Sequence, residues 1–93
     1  MTITRLNYST AATGKADELH AFLISLVPYI SRSPGRQSCV VLRKSDAPDQ
    51  FCVIEKWDSI EAHKASIAAF PKDKIAAAMP LFGAPPTGDY YEN

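Results

Sequence analysis

The side chains able to do chemistry are few and gather around one stretch, Phe51-Cys-Val-Ile-Glu-Lys-Trp57-Asp-Ser-Ile-Glu-Ala-His63. His63 is spaced by three and four residues from Ile60 and Ile67, so on a helix it shares their face and points toward a sheet and any pocket there. An imidazole near its ordinary pKa of about 6.5 can take a proton from a bound hydroxyl at neutral pH. The plain alternative is a structural histidine satisfied inside an apolar face. Trp57 and Glu55 share one strand face with Val53 and Phe51. The indole either caps the core or forms a flat wall for a planar ligand, with its N–H free for a ligand oxygen. Glu55 would be costly if buried alone, so it is expected to pair with Arg5, Arg43 or Lys56, or to reach a rim. Asn7 lies on a first-strand face with Ile3 and Arg5, and its amide can orient an oxygen if that face meets the pocket. His20, beside the Leu19/Leu23 stripe of the first helix, can sit on its flank or in the pocket, and exposure is the favoured expectation. No Gly-rich phosphate loop, no cluster of metal ligands and no nucleophile triad can be read.

Positioning these groups takes a strand, an abrupt stop and a helix. Phe51 to Trp57 is β-rich, and Asp58 with Glu61 three residues on reads as a capping box, with Ser59 as an alternative cap. The helix that follows runs to about Phe70, where Pro71 resets the chain; Lys72 to Met79 is Ala-rich and predicts a further short, close-packed helix stopped by Pro80. Upstream, Thr2 to Tyr8 alternates with period two and predicts a first strand. From Lys15, Leu19, Phe22, Leu23, Leu26 and Ile30 form one helical stripe, which Pro28 should kink or end. Ser31 to Gly35 is a turn cluster, Ser38 to Arg43 a second strand, and Lys44 to Gln50 a hairpin loop. Asp89 to Glu92 can add an edge strand, with Tyr90 and Tyr91 on opposite faces. The order β-α-β-β-α-(α)-β predicts an α+β fold of the ferredoxin-like, split βαβ kind.

Length and charge bound the partners. The 93 residues fit one domain spanning 1–93, burying about 60–65% of its unfolded surface. Ten basic and ten acidic side chains cancel with no basic run, so nucleic acid and anionic membranes are poor partners. The N-terminal residues lack a signal-peptide pattern and no segment approaches the roughly 18 apolar residues of a membrane span, so a cytoplasmic protein is expected. With the hairpin centred near Ala47, Cys52 lies opposite about Leu42 and Cys39 is ~10 Å off register, too far for a disulfide; two free, buried thiols are expected. Cys39-Val-Val-Leu42 and Phe51-Cys-Val-Ile54 are apolar on both faces, whereas two helices and a short third cover only one. A second copy is therefore expected on the other face, as a homodimer with a β-barrel-like interface.

Pro34-Gly35, then a strand, then Phe51-x-x-x-Glu55-x-Trp57-x-Ser59-x-Glu61-Ala62 resembles the signature of antibiotic biosynthesis monooxygenase (ABM) domains, which include quinol monooxygenases and polyketide-tailoring oxygenases. The resemblance extends over nearly the whole chain in length and element order. It implies a dimeric α+β barrel with a pocket between sheet and helices in each subunit. It also implies oxidation of a phenolic or quinol substrate by O₂ with no flavin, haem or metal. On that reading the partners are a small aromatic substrate and O₂, no cofactor is held, and the catalytic residues are His63, Trp57 and Asn7. Trp57 and Asn7 would position the ring and His63 would accept the phenolic proton, since an ionised phenol donates an electron to O₂ far more readily. The chain also departs from the pattern. Ser66 stands where many members carry a His nine positions after the Trp, and Val53 and His63 stand where polyketide-tailoring members carry an Asn and a Tyr. Asn7 is a counterpart of the first-strand Asn of haem-degrading relatives, but no His follows His63, which disfavours haem degradation. Ser66 favours the alternative, a non-catalytic dimeric barrel that binds a small apolar ligand or serves as an oligomerisation module.

Overall fold

Period-two alternation along four strands sets the frame. In the computed structural model, which describes residues 2–93, the elements are β1 (Ile3–Thr10), α1 (Ala16–Ser31), β2 (Arg36–Arg43), β3 (Gln50–Trp57), α2 (Ile60–Ala69), α3 (Lys72–Ala78), a single 3₁₀ turn (Met79–Leu81) and β4 (Thr87–Glu92). The sheet order is β2-β3-β1-β4 and every pairing is antiparallel. This is the ferredoxin-like α+β arrangement the element order predicts, with β1 and β3 central.

One sheet face carries Phe51, Val53, Glu55 and Trp57 from β3, with Ile3, Arg5, Asn7 and Ser9 from β1, and the helices cover it. Phe51 and Val53 pack with Ala11, Leu19 and Leu23 into a buried cluster, and Trp57 and Leu19 are fully buried. The other face carries Leu6 and Tyr8, Val40 and Leu42, Cys52 and Ile54, and Tyr91; Tyr8, Val40, Leu42 and Tyr91 are exposed. The hairpin register is as expected, with Leu42 opposite Cys52 and Cys39 opposite Glu55, and both thiols are free. Neither is fully buried, because Cys52 lies on the uncovered face and Cys39 on the outermost strand β2.

Local details correct several expectations. Pro28 lies within α1, which ends nearby at Ser31. Pro28 and Ile24 both face solvent, so the carbonyl that loses its helical partner can take a water instead. The cap of α2 is Ser59, whose hydroxyl accepts from the Ala62 N–H at 3.1 Å; Asp58 instead accepts from Gln37 Nε2 at 2.7 Å. The chain enters β2 through Gly35 at φ +83°, where a Cβ would stand 2.8 Å from the Ala62 Cβ, so glycine both permits the turn and lets it lie against α2. In α3 only Ala78 is buried, so Ala76 and Ala77 do not form the close-packed surface their composition suggests. Among the described residues no helix is long and apolar enough to cross a membrane.

Candidate functional site

Three strands and one helix bring polar side chains together on the covered face. Asn7 and Val53 are cross-strand partners, as are Arg5 and Glu55, so β1 and β3 place Arg5, Asn7, Glu55 and Trp57 side by side. Asn7 Nδ2 donates to Glu55 Oε2 at 3.1 Å, and Trp57 Nε1 donates to Glu55 Oε1 at 3.0 Å. Arg5 Nε donates to Asn7 Oδ1 at 3.0 Å. Because Arg5 can only donate and an ionised Glu55 only accept, the Asn7 amide has a single orientation between them. From α2, His63 lies edge-on to the Trp57 ring, with ring centroids 5.5 Å apart, and its Nε2 is 3.9 Å from Glu55 Oε1. From β4, the Tyr90 hydroxyl meets His63 Nδ1 at 2.6 Å, and the Arg5 guanidinium lies 4.6 Å from the Tyr90 ring centroid.

Asn7, Glu55 and His63 from this cluster line a half-open cavity of about 300 Å³ between the sheet and the helices. Phe22, Leu26 and Ile30 of α1 supply one apolar wall, and Phe70, Ala78 and Phe82 another. The predicted α1 stripe is thus divided: Leu19 and Leu23 pack on the sheet, while Phe22, Leu26 and Ile30 line the cavity. Ile67, Ile75 and Met79 also line it and are themselves exposed, so the cavity reaches the surface between α2 and α3. Ser66 is buried in the wall, its hydroxyl 2.9 Å from that of Ser33, while its carbonyl accepts from Tyr29 Oη at 2.8 Å.

Burial sets the electrostatics. It pulls the His63 imidazole down to about 4, and the positive charge of Arg5 acts in the same direction, so the ring is neutral at pH 7. Burial raises the Glu55 carboxyl above its ordinary value, against the lowering effects of the Trp57 N–H, the Arg5 charge and the Asn7 N–H. The Cys39 thiol, opposite Glu55, is pushed up to about 11 by burial and then by the Glu55 charge, so it is inert as a nucleophile. The arrangement can hold a planar apolar molecule with one hydroxylated edge at the cluster, and it pairs a neutral imidazole with a carboxylate whose basicity is enhanced. Among the described residues no group of three His, Cys, Asp or Glu side chains could hold a metal ion.

Of the residues singled out from sequence, His63 and Asn7 line the cavity and Trp57 does not. The indole is fully buried behind Glu55 and its N–H is taken by that carboxylate, so it is neither a stacking wall nor a free donor to a ligand. Glu55 pairs with none of the expected cations: Arg43 bonds Asp17 at 3.1 Å, Lys56 is exposed on the opposite sheet face, and Arg5 reaches Glu55 through Asn7. His20 is half-buried, stacked on Phe51 at 5.5 Å between centroids and away from the cavity. Tyr90 and Gly88 are site residues that sequence reading did not find. Gly88 faces Asn7 across the β1–β4 pairing, where a Cβ would fall 2.5 Å from Asn7 Oδ1 and from Arg5 Nη2. The one available signal for Tyr90 was its alternation with Tyr91, which fixes opposite faces without saying which is inward.

Comparison with known proteins agrees with this architecture. Residues 2–69 match the family model described as antibiotic biosynthesis monooxygenase. No curated protein sequence matches the chain. Among solved structures, a candidate antibiotic biosynthesis monooxygenase from Chloroflexus aurantiacus is 31% identical, with 100% of this chain and 95% of that one covered and a TM-score of 0.78. A candidate antibiotic biosynthesis monooxygenase from Nitrosomonas europaea shares the fold at 17% identity, with coverage of 99% and 89% and a TM-score of 0.89. SnoaB, a cofactor-independent oxygenase from Streptomyces nogalater, does so at 19% identity, with coverage of 99% and 92% and a TM-score of 0.82. With the family model matching 68 of its 93 residues (2 to 69 inclusive) and the strand order of a ferredoxin-like sheet, the chain belongs to the antibiotic biosynthesis monooxygenase family.

Proposed function

We propose that this chain is a cofactor-independent monooxygenase that oxidises a quinol or polycyclic phenol with O₂, working as a homodimer. The observation that carries the reading is an apolar cavity of about 300 Å³ whose polar wall is Asn7, Glu55 and His63. A planar ring fits between Phe22, Leu26 and Phe70, and its hydroxyl is directed to the cluster because nothing else in the cavity satisfies it as well. The hydroxyl gives up its proton into the His63–Glu55 pair, leaving an electron-rich oxygen that can pass an electron to O₂. Over the whole reaction the substrate loses two hydrogens and gains one oxygen atom, and both hydrogens leave with the second oxygen atom as water. Asn7 holds the oxygen-bearing edge in place. Trp57 acts one step back, fixing Glu55 through its N–H rather than touching the ring.

O₂ uptake with reduced naphthoquinones tests this directly. Wild type is expected to turn over, with His63→Ala and Trp57→Phe each reduced by about tenfold or more. Turnover unchanged by both substitutions would reject the residue assignments, and no turnover with any quinol would reject the oxygenase reading. A second reading, a non-catalytic dimeric barrel that binds a small apolar ligand, is favoured by Ser66, whose hydroxyl is paired with Ser33 rather than free in the cavity. On that reading naphthols bind and O₂ is not consumed.

A further inference from the structure

Tyr90, His63 and Glu55 form a chain of three titratable groups from three different elements, and the hydrogens along it can be placed by elimination. The 2.6 Å contact between Tyr90 Oη and His63 Nδ1 holds one hydrogen, and the ring is neutral. If Nδ1 carried it, the bare Nε2 lone pair would face Glu55 Oε1 at 3.9 Å, which is repulsive when Glu55 is ionised, the form in which both its oxygens accept, from Trp57 and from Asn7. If Tyr90 donates it, Nδ1 accepts and Nε2 carries the ring hydrogen, which then faces the carboxylate. The second arrangement replaces a repulsion with an attraction, and no other hydrogen-bond partner for the Tyr90 hydroxyl is found among the described residues.

We propose that Glu55 is the group that receives the substrate's hydroxyl proton, and that Tyr90, by donating to His63 Nδ1, holds the imidazole in the tautomer whose Nε2–H faces Glu55. The inference rests on the reading of the cavity as a phenol site and deepens it, since it assigns the proton acceptor and adds a positioning residue from β4, beyond the span matched by the family model. Glu55 lines the cavity, and each of its oxygens takes one N–H, from Trp57 and from Asn7, which leaves each a further lone pair. The substrate O–H bond breaks, a Glu55 Oε–H bond forms, and the negative charge passes from the carboxylate to the substrate oxygen. The site then carries the same charge as before, so no new buried charge is created beside Arg5. His63 Nε2–H, no longer facing an anionic carboxylate, is free to donate to the new oxyanion. His63 is thus the donor that steadies the ionised ring. The groups facing Glu55 are Arg5 and Asn7 from β1, Cys39 from β2, Trp57 from its own strand, His63 from α2 and, through His63, Tyr90 from β4. Unlike these groups, Glu55 combines basicity raised by burial with a place in the cavity wall.

Two measurements test the proposal without requiring O₂ chemistry. Long-range ¹H–¹⁵N spectra of the imidazole at pH 7, assigned with a His20→Gln variant, are expected to show His63 as the Nε2–H tautomer, with Tyr90→Phe producing a mixture. An Nδ1–H tautomer in the wild type overturns the role of Tyr90. Under anaerobic conditions, 1-naphthol bound to the wild type is expected to show the ultraviolet spectrum of the naphtholate, and bound to Glu55→Gln that of the neutral naphthol. Gln keeps an acceptor for Trp57, and equal thermal melting checks that the variant is folded. Neutral naphthol in the wild type, or naphtholate in both proteins, overturns the role of Glu55. If naphthol ionises at Glu55 yet no quinol is oxidised in air, the oxygenase reading fails and the proton assignment stands. Where quinol oxidation is observed, Glu55→Gln should lower kcat by about a hundredfold with KM changed less than about threefold.

Discussion

At the scale of single residues, the buried imidazole leaves a signature in stability. The unfolded chain takes up a proton at His63 as pH falls below the ordinary value of 6.5, while the folded chain refuses it until about pH 4. The contribution is therefore fully present above pH 6.5 and is lost as pH falls through that window, by up to about 3 kcal/mol. Glu55 works in the opposite direction, because a carboxyl with a raised folded value is stabilised by protonation as pH falls. The diagnostic quantity is thus the difference between wild type and His63→Gln. In urea unfolding at pH 7, 5.5 and 4.5 the wild type should lose more stability than the variant, and parallel curves would contradict a neutral, buried His63. A second expectation concerns Gly88. Replacing it with Ala pushes a methyl group onto Asn7 and Arg5, so it should cost about 1–3 kcal/mol and lower quinol oxidation together, read by thermal melting and O₂ uptake. His63 and Asn7 were legible in the sequence because helical and strand spacing fix which way a side chain points. Glu55, Tyr90 and Gly88 were not, because their roles depend on partners 48, 27 and about 80 residues away (Glu55 with Asn7, Tyr90 with His63, Gly88 with Asn7). Trp57 stays open between core cap and ligand wall for a related reason: its type marks an aromatic near a site, but only the position of Glu55 shows where its N–H is used.

At the scale of elements, the order of strands and helices follows from periodicity, and what the pattern leaves open is how each element ends. The start of α2 is a case in point, because Asp58, Ser59 and Glu61 offer two competing caps in adjacent positions. The hydroxyl of Ser59 reaches the Ala62 N–H, whereas Asp58 is drawn off by Gln37 from the neighbouring strand β2, a contact that no local pattern contains. Ser59→Ala should therefore destabilise the fold by about 1 kcal/mol, while Asp58→Ala, which loses only an exposed hydrogen bond, should stay within about 0.5 kcal/mol. Chemical denaturation of both variants checks the order, and a larger loss at Asp58 would contradict the assignment. The consequence reaches the site, since His63 lies in the first turn and a half of the helix that Ser59 starts. Pro28 makes the same point in reverse. The sequence shows that a donor is missing, but whether that ends the helix depends on whether the orphaned carbonyl faces water, which is a property of the packed molecule.

At the scale of the whole molecule, the exposed large apolar side chains sort into two groups and one outlier. Ile67, Ile75 and Met79 surround the cavity opening, and Ile24 stands alone on α1. Tyr8, Val40, Leu42 and Tyr91, 47–51% exposed, lie together on the sheet face that no helix covers, with Leu6, Cys52 and Ile54 among them. An apolar patch spread over all four strands is more than a free monomer usually leaves in water. A standard interface buries about 800 Å² per partner, and the flat side of a molecule measuring 39 × 30 × 20 Å is large enough to supply it. Because the charged side chains of the face, Lys44, Lys56 and Asp89, lie toward its margins, a second copy can meet it without burying an unpaired ion at its centre. The expected species at micromolar concentration is thus a dimer by size exclusion with light scattering. Ile54→Lys, near the middle of the patch and away from the cavity, should bury a lone ammonium in the interface. It is expected to raise the dissociation constant at least a hundredfold and give a monomer with unchanged far-ultraviolet circular dichroism. A wild type that runs as a monomer, or an Ile54→Lys variant that remains a dimer, would contradict pairing through this face.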